Sequence, residues 1–145
     1  IFLVGDEACK ILEVGWEKEP RVICLSGEQT IRETLALAQK VNCVVGPETG
    51  ILNAVGFDSG IAKVCLLSHS SIENLTKHWV NSYPIEPVDM SCYPCHRMHY
   101  GMKYCHEDKE TGTAMCQVSI EPNRVTDGIM HSYERWKESA NEQRG

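Results

Sequence analysis

Three short stretches carry residue types that could do chemistry. In "SCYPCHRMHYGMKYCHEDKETGTAMC", four thiols share one polar segment with His96, His99 and His106. Cys92 and Cys95 form a Cys-x-x-Cys knuckle, and Cys105 and Cys116 would complete four thiolates around a structural zinc, with a histidine able to replace one of them. Zinc would hold a long loop that has little core of its own. Disulfides, or thiols packed against Tyr and Met, explain the same residues. "CYPCH" also spells Cys-x-x-Cys-His, the c-type haem attachment pattern. In that reading Cys92 and Cys95 form thioethers, His96 is the proximal ligand, and Met98, His99 or Met102 is distal. A redox Cys-x-x-Cys fits poorly, because it should open a helix after a strand.

The second stretch is "VVGPETGILNAVG", residues 44–56. Gly46 and Pro47 stop a strand, Glu48 or Thr49 caps a helix, and Gly50 lets a ligand approach the backbone. The N–H groups of Thr49, Gly50 and Ile51 would suit a diphosphate. The Glu48 carboxylate would repel phosphate and fits hydroxyls or a cation better. A capped strand-to-helix junction with no ligand is the plainer reading. The third stretch is "LLSHSSIENLTKHW". His69 beside Ser70 and Ser71 suggests nucleophilic catalysis, but no acid is visibly arranged to orient the histidine. Helix capping by Ser71 is the simpler expectation.

The elements that must position these residues alternate. "IFLV", "RVICL", "NCVVG" and "AKVCLLS" are short apolar strand signals, and "SYPIEP" a last short one. Helical spacing lies between them. "DEACKILEVGWEKE" turns Ala8, Ile11, Leu12 and Trp16 to one side. "TIRETLALAQKV" carries a Thr30/Glu33 capping box with Ile31, Leu35 and Ala38 inward. "TGILNAVGF" and "SIENLTKHW" follow. Residues 87–117 have no steady period. A C-terminal helix over about 120–142 should bury Val125, Ile129, Tyr133 and Trp136. Strand–helix alternation implies an α/β fold: a Rossmann-like parallel sheet with helices on both faces, in one domain spanning 1–145, with ligands at the carboxyl ends of the strands.

Composition narrows the classes. The chain has 145 residues, 42% hydrophobic and 23% charged, which is enough for a packed core. A net charge of −6 with scattered Lys and Arg argues against nucleic acid as a partner. No apolar run is long enough to span a bilayer. Cys9, Cys24, Cys43 and Cys65 stand singly in apolar elements, which points to core thiols in a reducing compartment. The missing initiator Met suggests a piece of something longer.

"SGEQTIRETLALAQKVNCVVGPETGILNAVG" resembles the nucleotide-sugar-binding half of the ADP-heptose:lipopolysaccharide heptosyltransferases, glycosyltransferase family nine. The likeness rests on Gly27, Thr30-Ile31, Glu33, Val44-Val45-Gly46 and Thr49-Gly50. "KVCLLSHSS" and "CQVSIEPNRVTDGI" are similar to segments farther along that family, so about residues 1–133 are covered. Where the family has Asp and His, this chain has Glu48 and Asn53. The resemblance implies the C-terminal half of a GT-B fold without its first strand, so that a gap separates the first two strands from the others. It implies that Thr49, Gly50 and Ile51 meet the diphosphate of an ADP-sugar, with Ser70 and Ser71 near it. Gln29 would lie along the adenine and Glu7 against the ribose. It implies inverting sugar transfer in a full cytoplasmic, bacterial or phage-type enzyme, peripheral at the inner membrane if membrane-associated. The acceptor domain would come from the same or another chain, and this chain alone would transfer no sugar. Two rivals stand beside it: a non-catalytic α/β assembly module stapled by zinc, and a c-type haem protein.

Overall fold

The computed structural model describes residues 1–97 and 105–142, with side chains through residue 138. Met98, His99 and Met102 lie outside the described residues. The chain is mixed α/β, with short parallel sheets and helices in two compact units, Ile1–Lys40 and Val41–Gly145.

In the first unit, β1 (Phe2–Leu3) pairs in parallel with β2 (Ile23–Cys24). Between them Glu7–Glu13 forms a 3-10 helix, capped by Asp6 Oδ1, which accepts from the Cys9 N–H at 3.2 Å. The sequence spacing pointed to an α-helical face there. A 3-10 turn has three residues rather than 3.6, so the expected stripe does not line up. Ile11, Leu12 and Trp16 are exposed, and the buried residue is Glu13. Its Oε1 accepts from the N–H groups of Leu25 (3.1 Å) and Ser26 (2.9 Å), closing the end of β2. Helix α1 (Ile31–Ala38) carries the expected capping box: Glu33 N–H donates to Thr30 Oγ1, and Thr30 N–H to Glu33 Oε2. Ala38 is buried, but Ile31 is exposed.

The second unit is built on a three-stranded parallel sheet in the order β3-β4-β5: Cys43–Pro47, Ala62–Leu66 and Ser82–Ile85. The central strand β4 is buried along almost its whole length, as a parallel strand covered on both faces must be. The prolines fall on the outer strands, Pro47 in β3 and Pro84 in β5, where a missing N–H is tolerated. Helix α2 (Gly50–Val55) follows β3. A single wide π-type turn, Ile72–Thr76, follows β4, where the sequence indicated a longer helix. Leu52, Cys65 and Leu67 form one core cluster, with Val44, Leu75, Trp79 and Tyr93 against it. Val64, Ile85 and Ile120 form the other, with Val125 against it. Lys63 is fully buried in β4, and its Nζ donates to the Asp58 carbonyl.

A short helix α3 (Met115–Val118) leads to α4 (Pro122–Glu142). Here the buried stripe differs from the expected one. Val125 packs on the core, and the fully buried positions after it are Gly128 and Ser132. Ile129, Tyr133 and Trp136 are exposed. The cause is close approach: a Cβ on Gly128 would stand 2.7 Å from the Tyr83 ring, so small residues let the helix lie against β5. No helix among the described residues is long and apolar enough to cross a membrane.

Burial, with the charge of Glu48 adding to it, pushes the Cys65 thiol from 9.0 up to about 12. The folded state therefore keeps a proton that the unfolded chain gives up. The stability Cys65 contributes is complete below pH 9.0 and is lost as pH rises toward the folded value. The loss approaches about 1.4 kcal/mol per pH unit. Denaturant titrations between pH 8 and pH 11 should show a shallower decline for Cys65→Ala than for the parent. Parallel declines would refute the assignment.

Candidate functional site

The carboxyl ends of β3 and β4 lie side by side, because Pro47 is in register with Leu66. The register brings residue 48 next to the Ser-His-Ser loop. The Glu48 carboxylate, 5% exposed, is turned into that loop. Its Oε2 accepts from the N–H of Ser68 (3.2 Å), the Oγ of Ser68 (2.7 Å) and the N–H of His69 (3.1 Å). Its Oε1 accepts from the N–H of Ser70 at 2.7 Å. His69 Nδ1 lies 2.5 Å from Oε2. Burial opposes the charge on Glu48, but the bonds from Ser68, His69 and Ser70 outweigh it and hold the carboxyl below its ordinary range.

The acid that orients His69 is thus Glu48, which the sequence did not reveal. The signal was available in the pairing: a Glu one residue past β3 and a Ser-His-Ser past its parallel neighbour must meet. The arrangement is not a nucleophilic triad. Ser68 Oγ lies 3.3 Å from Nδ1, the same nitrogen that faces Glu48, whereas a triad needs base and orienter on opposite nitrogens. Ser71 caps as expected, its Oγ accepting from the Asn74 N–H at 3.3 Å.

Of the residues expected at a diphosphate, Thr49 is the N-cap of α2, and no side-chain cap is made there. A Cβ built on Gly50 meets nothing within 4 Å, so the turn opens on free space. Ile51 is half-buried in the first turn of α2. Asn53 is exposed and donates through Nδ2 to the Thr49 carbonyl at 3.1 Å, within its own helix. The Ser70 N–H is spent on Glu48. Gln29 and Glu7 belong to the first unit. Gln29 Oε1 is buried and meets no donor among the described residues. Glu7 is exposed and pairs with Lys10 at 3.1 Å.

The four clustered cysteines line one cavity of about 600 Å³ together with Pro47, Ser68, His69 and His106. Thr49 and Gly50 are not among its walls. Two devices hold the Cys-rich segment there. Tyr93 packs on the Leu52/Cys65/Leu67 cluster while its hydroxyl donates to Glu86 Oε1 at 3.0 Å, and the His96 N–H donates to the His69 carbonyl at 2.7 Å. Farther on, Glu107 and Ala114 form an antiparallel bridge, and Met115 N–H donates to the His106 carbonyl at 2.8 Å. Cys92, Cys105 and Cys116 are thiols, not disulfides. Burial, then the nearby Cys105 and Cys92, push the Cys116 thiol up. As the side chains lie, no three His, Cys, Asp or Glu among the described residues converge as ligands for one metal ion. His96 Nδ1 stands 3.4 Å from Asn74 Nδ2.

Compared with family models, with curated proteins and with solved structures, the chain matches none.

Proposed function

We propose that the second unit is the donor-binding part of a heptosyltransferase-like GT-B glycosyltransferase, and that it takes the diphosphate of a nucleotide-sugar at the Thr49–Ile51 turn. The observation that carries this reading is the open turn at the carboxyl end of β3. There Thr49 makes no side-chain cap and Gly50 faces free space. Its N–H groups are left for an anion, and the crevice at parallel strand ends is where such sheets bind ligands. The strand order supports it too. Parallel β3, β4 and β5 follow one another in chain order, as one arm of a doubly wound sheet does.

The turn's acid plays a different part from a ligand contact. Glu48 holds the neighbouring loop and keeps its negative charge away from the open amides. Transfer itself, with inversion at the anomeric carbon, needs an acceptor domain in the same or another chain, on the cytoplasmic side. An ADP-sugar is the donor that the resemblance favours.

Calorimetry with ADP and with an ADP-sugar tests the reading. Both should bind, and Gly50→Val should weaken binding at least about tenfold, ~1.4 kcal/mol, by covering the backbone. The melting temperature should hold, since the added side chain meets open space. No binding of either nucleotide, or binding indifferent to Gly50→Val, overturns it. One observation favours the non-catalytic assembly module instead: all four clustered cysteines line the cavity beside the strand ends, and the Thr49–Gly50 turn does not. That module would bind neither nucleotide.

A further inference from the structure

We propose that Cys92, Cys95, Cys105 and Cys116 form a four-thiolate zinc site that clamps the Cys-rich segment over the carboxyl ends of β3 and β4. The inference does not depend on nucleotide binding.

Two independent pieces of backbone geometry bring the thiols together. The first is the hairpin. With Glu107 opposite Ala114, and Asp108 N–H to Thr113 O and Met115 N–H to His106 O at 2.8 Å each, the bridge leaves Cys105, two residues before it, and Cys116, in α3 two residues after it, at the same end of the hairpin. The hairpin tip is fixed by Asp108 Oδ2, which accepts from the N–H groups of Glu110 (3.2 Å) and Thr111 (2.8 Å) and from the Thr111 hydroxyl (2.9 Å). The second piece is the Cys92–Cys95 turn. It is anchored through Tyr93 on the core and through the His96 N–H on the His69 carbonyl. Both pairs face the same cavity.

The chemistry of this donor set selects the ion. Four thiolates, two of them in a Cys-x-x-Cys, suit tetrahedral zinc over harder cations. The donors do not converge as they lie, so the site closes by rotation of the thiol side chains among their staggered positions. The need for an ion is physical. Among the described residues around these cysteines, Tyr93 and Ala114 apart, little is added to the buried core. Four cysteines line one cavity, and zinc would displace their protons and tie them together.

The chain, purified in reducing buffer without chelator, should contain one zinc per molecule. Cobalt substitution should give thiolate charge-transfer and tetrahedral d–d bands. Cys92→Ser and Cys116→Ser should each lower zinc affinity at least tenfold. His69→Ala and His106→Ala should keep one zinc and an unchanged cobalt spectrum. Should the serine variants fold poorly, chelation of the parent protein is the second measurement. It should free the segment to protease cleavage near residue 97 and leave the far-ultraviolet signal of the sheet unit in place. Purified protein without zinc, serine variants that retain it at full affinity, or a cobalt spectrum altered by either histidine change overturns the proposal. So does a mass short of the hydrogens that disulfides would remove.

Discussion

Glu48→Ala should cost the second unit about 3 kcal/mol of stability, read as a lower denaturation midpoint at unchanged slope. One carboxylate accepts from three backbone N–H groups and one hydroxyl, and holds His69 Nδ1 as well. Each buried donor left without an acceptor costs about 1 to 3 kcal/mol. The loop is half-buried, so water reaches part of it, and the total stays below the sum for four fully buried donors. Glu48→Gln should fall between. It keeps one carbonyl acceptor, but its amide nitrogen is forced against a ring of donors. The effect on a ligand should be smaller than that on stability, because Glu48 is not aimed at the open turn. If Glu48→Ala abolished nucleotide binding while leaving the midpoint untouched, the carboxylate would be a ligand contact after all.

That case shows where the sequence is readable and where it is not. Alternation of apolar runs with helical spacing indicated β1 to β5, and most clearly β4, where burial on both faces leaves an apolar signature. The Thr30/Glu33 capping box was legible because both partners lie within three residues. Glu48 was placed correctly at a strand end, but the direction of its carboxylate depends on which strand lies beside β3. Local sequence does not encode that. The C-terminal helix misled for a different reason. Periodicity weighs large apolar residues, so it selected Ile129, Tyr133 and Trp136. The contact is made where the helix can come nearest to Tyr83, at Gly128 and Ser132. Left outside, Tyr133 and Trp136 stack on each other at 6.0 Å, and Lys137 lies over the Tyr133 ring at 5.2 Å. The cysteine segment was legible as a cluster, since composition and spacing are local. Its hairpin register was not, because nothing in "HEDKETGTAM" carries strand alternation.

Leu52→Ala should destabilise the second unit by about 3 to 4 kcal/mol, the range for a fully buried leucine whose surroundings cannot collapse into the space. Leu52 is 0% exposed and sits at the meeting point of the unit. Cys65 and Leu67, in β4 and just beyond it, form its cluster; Val44 comes from β3, Leu75 from the π-type turn, and Tyr93 from the Cys-rich segment. Val44 and Cys65 are held in the β3–β4 ladder, Leu75 by its N–H on the Ser71 carbonyl and Tyr93 by its hydroxyl on Glu86, so no single element can move to fill the gap. Two other readouts should change with it. The Thr49–Gly50 turn is rooted by α2, and a looser helix should weaken any nucleotide binding without touching a ligand atom. Tyr93 loses a packing partner, so the Cys92–Cys95 turn should become easier to cleave in metal-free protein, and zinc should restore its protection. Leu52→Met, which conserves volume, should cost less than about 1.5 kcal/mol and leave both readouts intact. If Leu52→Ala lowered stability by the expected amount yet left the turn and the cysteine segment unaffected, the two would have to be braced independently of the core, and the coupling drawn through Leu52 would be refuted.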